Sequence, residues 1–192
     1  LGPDCTVTMT TSRSVTVNVA PLATALRVAS APSGAESGRP FTTQPAVQVV
    51  DGAGAPVSQS GVTVTASVQS GSGSLVGVAT AQTNASGLAT FTSLGLTGIG
   101  NHTLSFSAPS LSNTTSSLTV APVTLSDGVL LPGQTAPAGA ELHYKIAVPP
   151  GQTSADFVST GGTGNADLYV RFGQAPTTTQ YDCKSTSSSS AE

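Results

Sequence analysis

The sequence predicts an all-β protein, and three observations carry that expectation. Only 8% of its 192 residues are charged, whereas helix surfaces are normally filled with Glu, Lys and Arg. The runs between turns are rich in Val and Thr, residues that fit a pleated, half-buried surface. Turn formers are dense, with 21 glycines and 13 prolines, as many short strands joined by tight turns require.

Composition also excludes partners. Nine acidic and six basic residues give a net charge of -3, and no basic cluster is present to follow a phosphate backbone, so nucleic acid is excluded. No apolar run approaches the roughly 18 to 20 residues that span a bilayer. The chain begins at Leu1 with no charged-then-apolar leader, so the expectation is an excerpt whose secretion signal lies upstream. Cys5 and Cys183 are disulfide candidates for an oxidising location, paired with each other or with partners outside the segment. Neither reads as a catalytic thiolate, because that chemistry needs a histidine base, and His102 and His143 both lie in strand-like runs.

Taken in order, residues 1–20 read as the C-terminal hairpin of a preceding β repeat, with Val7 and Met9 alternating before a polar break and Val15, Val17 and Val19 after it. Pro21 opens the next unit, residues 21–121. Strand patterns fall at 25–30, 45–51, 61–68, 76–83, 87–94, 101–108 and 116–121, separated by clusters such as PSGAESGRP, GAGAP, SGSGS, NASG and TGIG. Seven short strands over a unit of about 100 residues is the pattern of an immunoglobulin-like β-sandwich. In DGAGAPV, Asp51, Gly52, Gly54 and Pro56 suit a tight turn. The phrases QPAVQVVDGAGAPV, SGSLVG, GLATFTSLGLTGIGNHTLSFSA and SSLTV resemble the bacterial Ig-like repeats found in tandem on secreted and surface proteins.

Residues 122–192 predict a second, incomplete β-sandwich, with strand patterns at 141–148, 154–160 and 166–172. Gly128, Val129, residues 142–149, Gly151, Phe157, residues 161–172 and residues 176–183 resemble the bacterial pre-peptidase C-terminal domain, a β-sandwich appended to many secreted proteases. Members of that family continue past the YDC segment with a second cysteine and further strands, so the resemblance implies a truncated module. An open sandwich there is expected to expose a strand edge.

The glycine-rich stretch GGTGNADLYVRFGQAPTTTQYDC is the most distinctive piece of this unit. Gly162 and Gly164 begin a GxGxxG pattern, but Asp167 takes the third position and a strand pattern comes after it, so the dinucleotide fingerprint fails. The reading that remains is a turn at Gly161, Gly162 and Gly164 between a strand ending at Thr160 and the strand DLYVRF. Alternation sends Leu168, Val170 and Phe172 to the core and puts Asp167, Tyr169 and Arg171 on the other face. Tyr169, Arg171 and, across the next loop, Tyr181 are the candidate ligand-binding residues, since exposed Tyr and Arg hold a polymer with little entropy lost. Asp167 is expected to accept turn N–H groups.

Modules similar to this one in bacterial collagenases bind calcium and collagen. Here Asp127, Asp156, Asp167 and Asp182 are isolated, without the spacing that clusters oxygen ligands, so no metal ligand and no cofactor is assigned. No serine lies in a nucleophile elbow, and no catalytic residue is assigned. The sequons at Asn84, Asn101 and Asn113 carry no glycan in the bacterial context the resemblance implies. The expected function is a non-catalytic C-terminal accessory region of a secreted bacterial multidomain protein, of the peptidase or hydrolase type. It would act as spacer and as a substrate-tethering or maturation module, extracellular or at the cell surface. It is expected to be monomeric, with an insoluble polymer such as collagen or polysaccharide as partner. The alternative is a stalk or tip fragment of a surface adhesin.

Overall fold

The computed structural model describes residues 20–188 and residue 191, and among them every regular element is a strand. The hairpin expected in residues 1–20, and Cys5 with it, lies outside the described residues apart from Ala20.

The strands form where apolar residues alternate and a neighbouring strand is in reach. β1 (Ala25–Ser30), β3 (Ala46–Val50) and β7 (Leu88–Thr90) make one antiparallel sheet in the order β1-β3-β7. A second sheet faces it, ordered β10-β9-β4-β6, from β4 (Thr63–Ser70), β6 (Thr80–Gln82), β9 (Gly100–Ser107) and β10 (Thr114–Val120). Val47, Val49, Ala89 and Phe91 from the first sheet side meet Val64, Ala66, Leu104, Phe106 and Val120 from the second in one buried cluster. The rings of Phe91 and Phe106 cross that cluster with centroids 5.5 Å apart at 54°, a tilted contact that favours aromatic pairs. Pleat periodicity explains the rest: Leu104 and Phe106 point inward while Thr103, Ser105 and Ser107 are only half-buried.

The two sheets are stitched at both sides. Ala25 bridges Ser112 on one side, and Thr83 bridges Ala89 on the other. Unpaired edges invite pairing with another chain, and these bridges leave little edge open on the sandwich. The turn after β3 is capped by Asp51, whose Oδ1 accepts the N–H groups of Ala53 at 3.0 Å and Ala55 at 2.9 Å.

A third small sheet, ordered β2-β8-β5, closes one end through β2 (Arg39–Pro40), β5 (Leu75–Val76) and β8 (Gly95–Leu96). Two-residue strands show no period in the sequence, so none of the three is legible there as a separate strand.

Beyond β10 the chain changes character. β11 (Val123–Thr124) pairs in parallel with β12 (Tyr144–Lys145), and β13 (Leu168–Val170) pairs antiparallel with β14 (Cys183–Ser185). No described residue after Val123 is buried. The strand expected at 154–160 does not form, and those expected at 141–148 and 166–172 shrink to two and three residues. A strand persists where it finds a partner strand and an apolar face to cover, and residues 154–160 bury no apolar residue; Val158 is 72% exposed. DLYVRF therefore pairs with β14, which lies after it in the chain, and Gly161, Gly162 and Gly164 do not join two strands. Phe172, expected in a core, is 88% exposed.

Two outcomes are expected. Phe106→Ala lowers the unfolding free energy by about 3 to 5 kcal/mol in urea titration, whereas Thr115→Ala, on the exposed face of β10, changes it by less than about 0.5 kcal/mol. Burial pushes the Tyr144 phenol above its usual value of 10.0, partly offset by the nearby Arg39 charge. A raised folded value means that the neutral ring contributes stability below pH 10, which is lost as pH rises through the folded value. Tyr144→Phe thus gives a shallower alkaline fall in stability than the parent chain, measured by urea titration on both sides of about pH 10.

Candidate functional site

The β13–β14 ribbon builds the surface that carries the candidate residues. Tyr169 lies directly opposite Lys184 across the pair, a spacing at which side chains touch. The loop between the strands is held by its own polar groups. Thr177 Oγ1 accepts the Gln180 N–H at 2.9 Å, and Thr177 N–H donates to the Gln180 carbonyl at 2.9 Å. At the neck, Asp182 Oδ2 accepts the Phe172 N–H at 2.7 Å, and Asp182 N–H donates to the Val170 carbonyl at 2.9 Å.

That neck folds Tyr181 back over the ribbon. The rings of Tyr169 and Tyr181 lie with centroids 5.5 Å apart at 59°, and Lys184 Nζ sits 5.3 Å from the centre of the Tyr181 ring. Arg171 Nη1 donates to Gln180 Oε1 at 3.2 Å, which holds the guanidinium beside the residue preceding Tyr181. The structure thus brings Tyr169 and Tyr181 into contact and ties Arg171 to the same loop. Lys184, Gln180 and Asp182 complete the cluster, and sequence reasoning misses all three. Cys-Lys-Ser is too short for a strand period, so only the pairing with β13 reveals β14. The cluster offers two aromatic faces and two cationic donors, which suits stacking and hydrogen bonding.

Other expected roles fall differently. Asp167 is exposed and accepts no hydrogen bond among the described residues; the carboxylate that serves the ribbon is Asp182, because the turn sits on that side of β13. Cys183 is an exposed thiol in β14. Among the described residues no three His, Cys, Asp or Glu side chains gather as metal ligands.

His102 is committed to structure. It is 2% exposed. Its Nε2 accepts the Gly73 N–H at 3.0 Å and its Nδ1 lies 3.0 Å from the Gly100 carbonyl, an arrangement that puts the proton on Nδ1. A Cβ on Gly71 or Gly73 would sit 2.3 or 2.7 Å from that ring, so the SGSGS turn is glycine-rich because it wraps an imidazole. His143 Nε2 approaches Glu141 Oε2 at 3.3 Å, and its N–H donates to Ser37 Oγ at 3.0 Å. A shallow depression of about 440 Å³ on the sandwich is lined by Ser70, Asn101, Thr103, Ser117 and Thr119. Its walls bond to each other, Thr119 Oγ1 to Asn101 Oδ1 at 2.8 Å and Thr103 Oγ1 to Ser117 Oγ at 3.2 Å.

Residues 140–192 match the bacterial pre-peptidase C-terminal domain, the stretch that holds β12, β13, β14 and the tyrosine cluster. The chain is 41% identical over 69 residues to the Extracellular protease of Xanthomonas campestris pv. campestris, covering 36% of this chain and 12% of that protein. It is 48% identical over 44 residues to the Neutral protease of Vibrio proteolyticus, covering 23% of this chain and 7% of the relative. Among solved structures, a crystal structure of Parabacteroides merdae beta-glucuronidase aligns with a TM-score of 0.39 and 20% identity over 53% of this chain and 13% of that one. No described helix is long and apolar enough to cross a membrane.

Asp182→Ala is expected to speed exchange of the Phe172 amide by at least about tenfold and to weaken the near-ultraviolet dichroism of the tyrosine pair, leaving the Phe91 amide unchanged.

Proposed function

We propose that this chain is a non-catalytic accessory region of a secreted bacterial protein of the peptidase type. In it a spacer sandwich carries a module that tethers the enzyme to insoluble substrate or assists its maturation. The observation that carries the reading is the match of residues 140–192 to the pre-peptidase C-terminal domain, together with relatives named as proteases of which this chain covers 12% and 7%. A shared segment that small leaves most of each relative for the catalytic machinery. His102 points the same way, since it spends both ring nitrogens on backbone groups.

Residues 21–121 are assigned as a bacterial Ig-like repeat. The pairing orders β1-β3-β7 and β10-β9-β4-β6 support this, because an immunoglobulin-type sandwich likewise divides its strands between two antiparallel sheets in which the first, second and fifth strands share a sheet. Residues 122–192 are assigned as the tethering module. Tyr169, Arg171 and Tyr181 form its ligand face, with Lys184 added from the geometry, and the ligand is an insoluble polymer such as collagen or polysaccharide. Attachment at such a face raises the local concentration of a linked enzyme at its substrate.

The test is retention of the chain on insoluble collagen, chitin, cellulose and bacterial cell wall. A chain carrying Tyr169→Ala and Arg171→Ala is expected to lose at least about tenfold in apparent affinity for the polymer that the parent binds. Absence of retention of the parent on all four sinks tethering to these ligands and leaves the spacer or maturation role.

A further inference from the structure

Between the sandwich and the later segment, sequence composition marks a linker: residues 126–139 include Pro132, Pro137, Gly128, Gly133 and Gly139, and nearly all are exposed. The chain nevertheless returns to the sandwich at residues 141–145 and meets it at several points. Gly98 N–H donates to the Glu141 carbonyl at 3.0 Å, Val123 N–H to the His143 carbonyl at 2.9 Å and Leu125 N–H to the Lys145 carbonyl at 2.7 Å. His143 N–H donates to Ser37 Oγ at 3.0 Å.

Side chains complete the contact. Leu142 Cδ2 lies 2.3 Å from the point where a Cβ on Gly38 would stand, and Gly38 has φ +75°. Only glycine both adopts that backbone without strain and leaves room for the leucine. Ser37 is 1% exposed, although it lies on a short connection between β1 and β2, where polar residues are ordinarily wet. Its N–H donates to the Ala121 carbonyl at 2.9 Å, and its hydroxyl meets the returning segment. Val123, in the strand that continues from β10 past Pro122, is buried.

We infer that Ser37, Gly38 and Gly98 form a socket on the end of the sandwich that latches residues 141–145. The junction is then a fixed joint and not a free hinge, and β12 depends on the sandwich for its place. β11 belongs to both parts: it extends the last sandwich strand and supplies the partner of β12. The joint starts one residue after the start of the pre-peptidase C-terminal match at 140, so the matched segment enters at a set angle to the sandwich. A spacer that merely separates two modules has no need of a glycine relieved for a leucine on the far side of the linker. The inference stands on this geometry alone and holds whether or not the tyrosine face binds a polymer.

Amide hydrogen exchange on the whole chain, followed by nuclear magnetic resonance, tests it. The Gly98, Val123, Leu125 and His143 amides are expected to exchange at least about 100-fold more slowly than unstructured amides. Leu142→Asp, placed on the returning segment so that the sandwich keeps its own sequence, is expected to speed all four by at least about tenfold while Val49 and Phe91 stay protected. Ser37→Ala, which removes the hydroxyl acceptor with little change of shape, is expected to act most strongly on His143. Unprotected exchange of the four amides in the parent overturns the latch, as does a Leu142→Asp chain that exchanges like the parent. Loss of Val49 and Phe91 protection in Leu142→Asp overturns it too, since Leu142 would then belong to the sandwich core.

Discussion

The contact of Phe91 with Phe106 between the two facing sheets marks the interior on which the described structure depends. Burial of apolar surface is the dominant favourable term in folding, and in this chain nearly all of it happens there. The core cluster draws on residues between Leu26 and Val120, and after Val123 no described residue is buried. The later residues are placed by hydrogen bonds to the sandwich at 141–145, and further on by the local ladder of β13 and β14. The difference explains why long strands occur in one region and three-residue strands in the other.

The sandwich manages its surface in an uncommon way. From residue 52 to residue 126 there is no Asp, Glu, Lys or Arg, so among the edge strands of its two facing sheets only β1, with Arg27, carries a charge. Bridges between the sheets guard the edges at Ala25 with Ser112 and at Thr83 with Ala89. The exposed faces are wetted by Ser, Thr, Asn and Gln, several of which bond across strands. Charged residues lie instead at the joint, with Glu36, Arg39, Glu141 and Lys145, and on the β13–β14 ribbon, with Arg171, Asp182 and Lys184.

The long strands are legible because a half-buried strand writes its alternation into the sequence. The pattern at 25–30 coincides with β1 (Ala25–Ser30), and that at 101–108 with β9 (Gly100–Ser107). Parity likewise puts Tyr169 and Arg171 on one side of their strand, although the same parity sends Phe172, 88% exposed, to a core. The partner of their strand is not legible. Apolar alternation points to a partner before the glycine run, at 154–160, whereas the hydrogen bonds go to Cys183–Ser185, a segment with no such alternation to announce it. The role expected of Asp167 falls to Asp182 for the same reason: the turn lies on the other side of the strand.

By itself, then, the sequence determined that the chain is all-β, where its long strands run and which turns need glycine, because side-chain chemistry and backbone freedom are local properties. Pairing is not local. Which strands meet, why SGSGS wraps His102, why Gly38 must lack a side chain so that Leu142 fits, and which residues join Tyr169 at the ribbon were decided by the tertiary structure. Each depends on a neighbour distant in the chain, whose approach carries no mark in the residues it approaches.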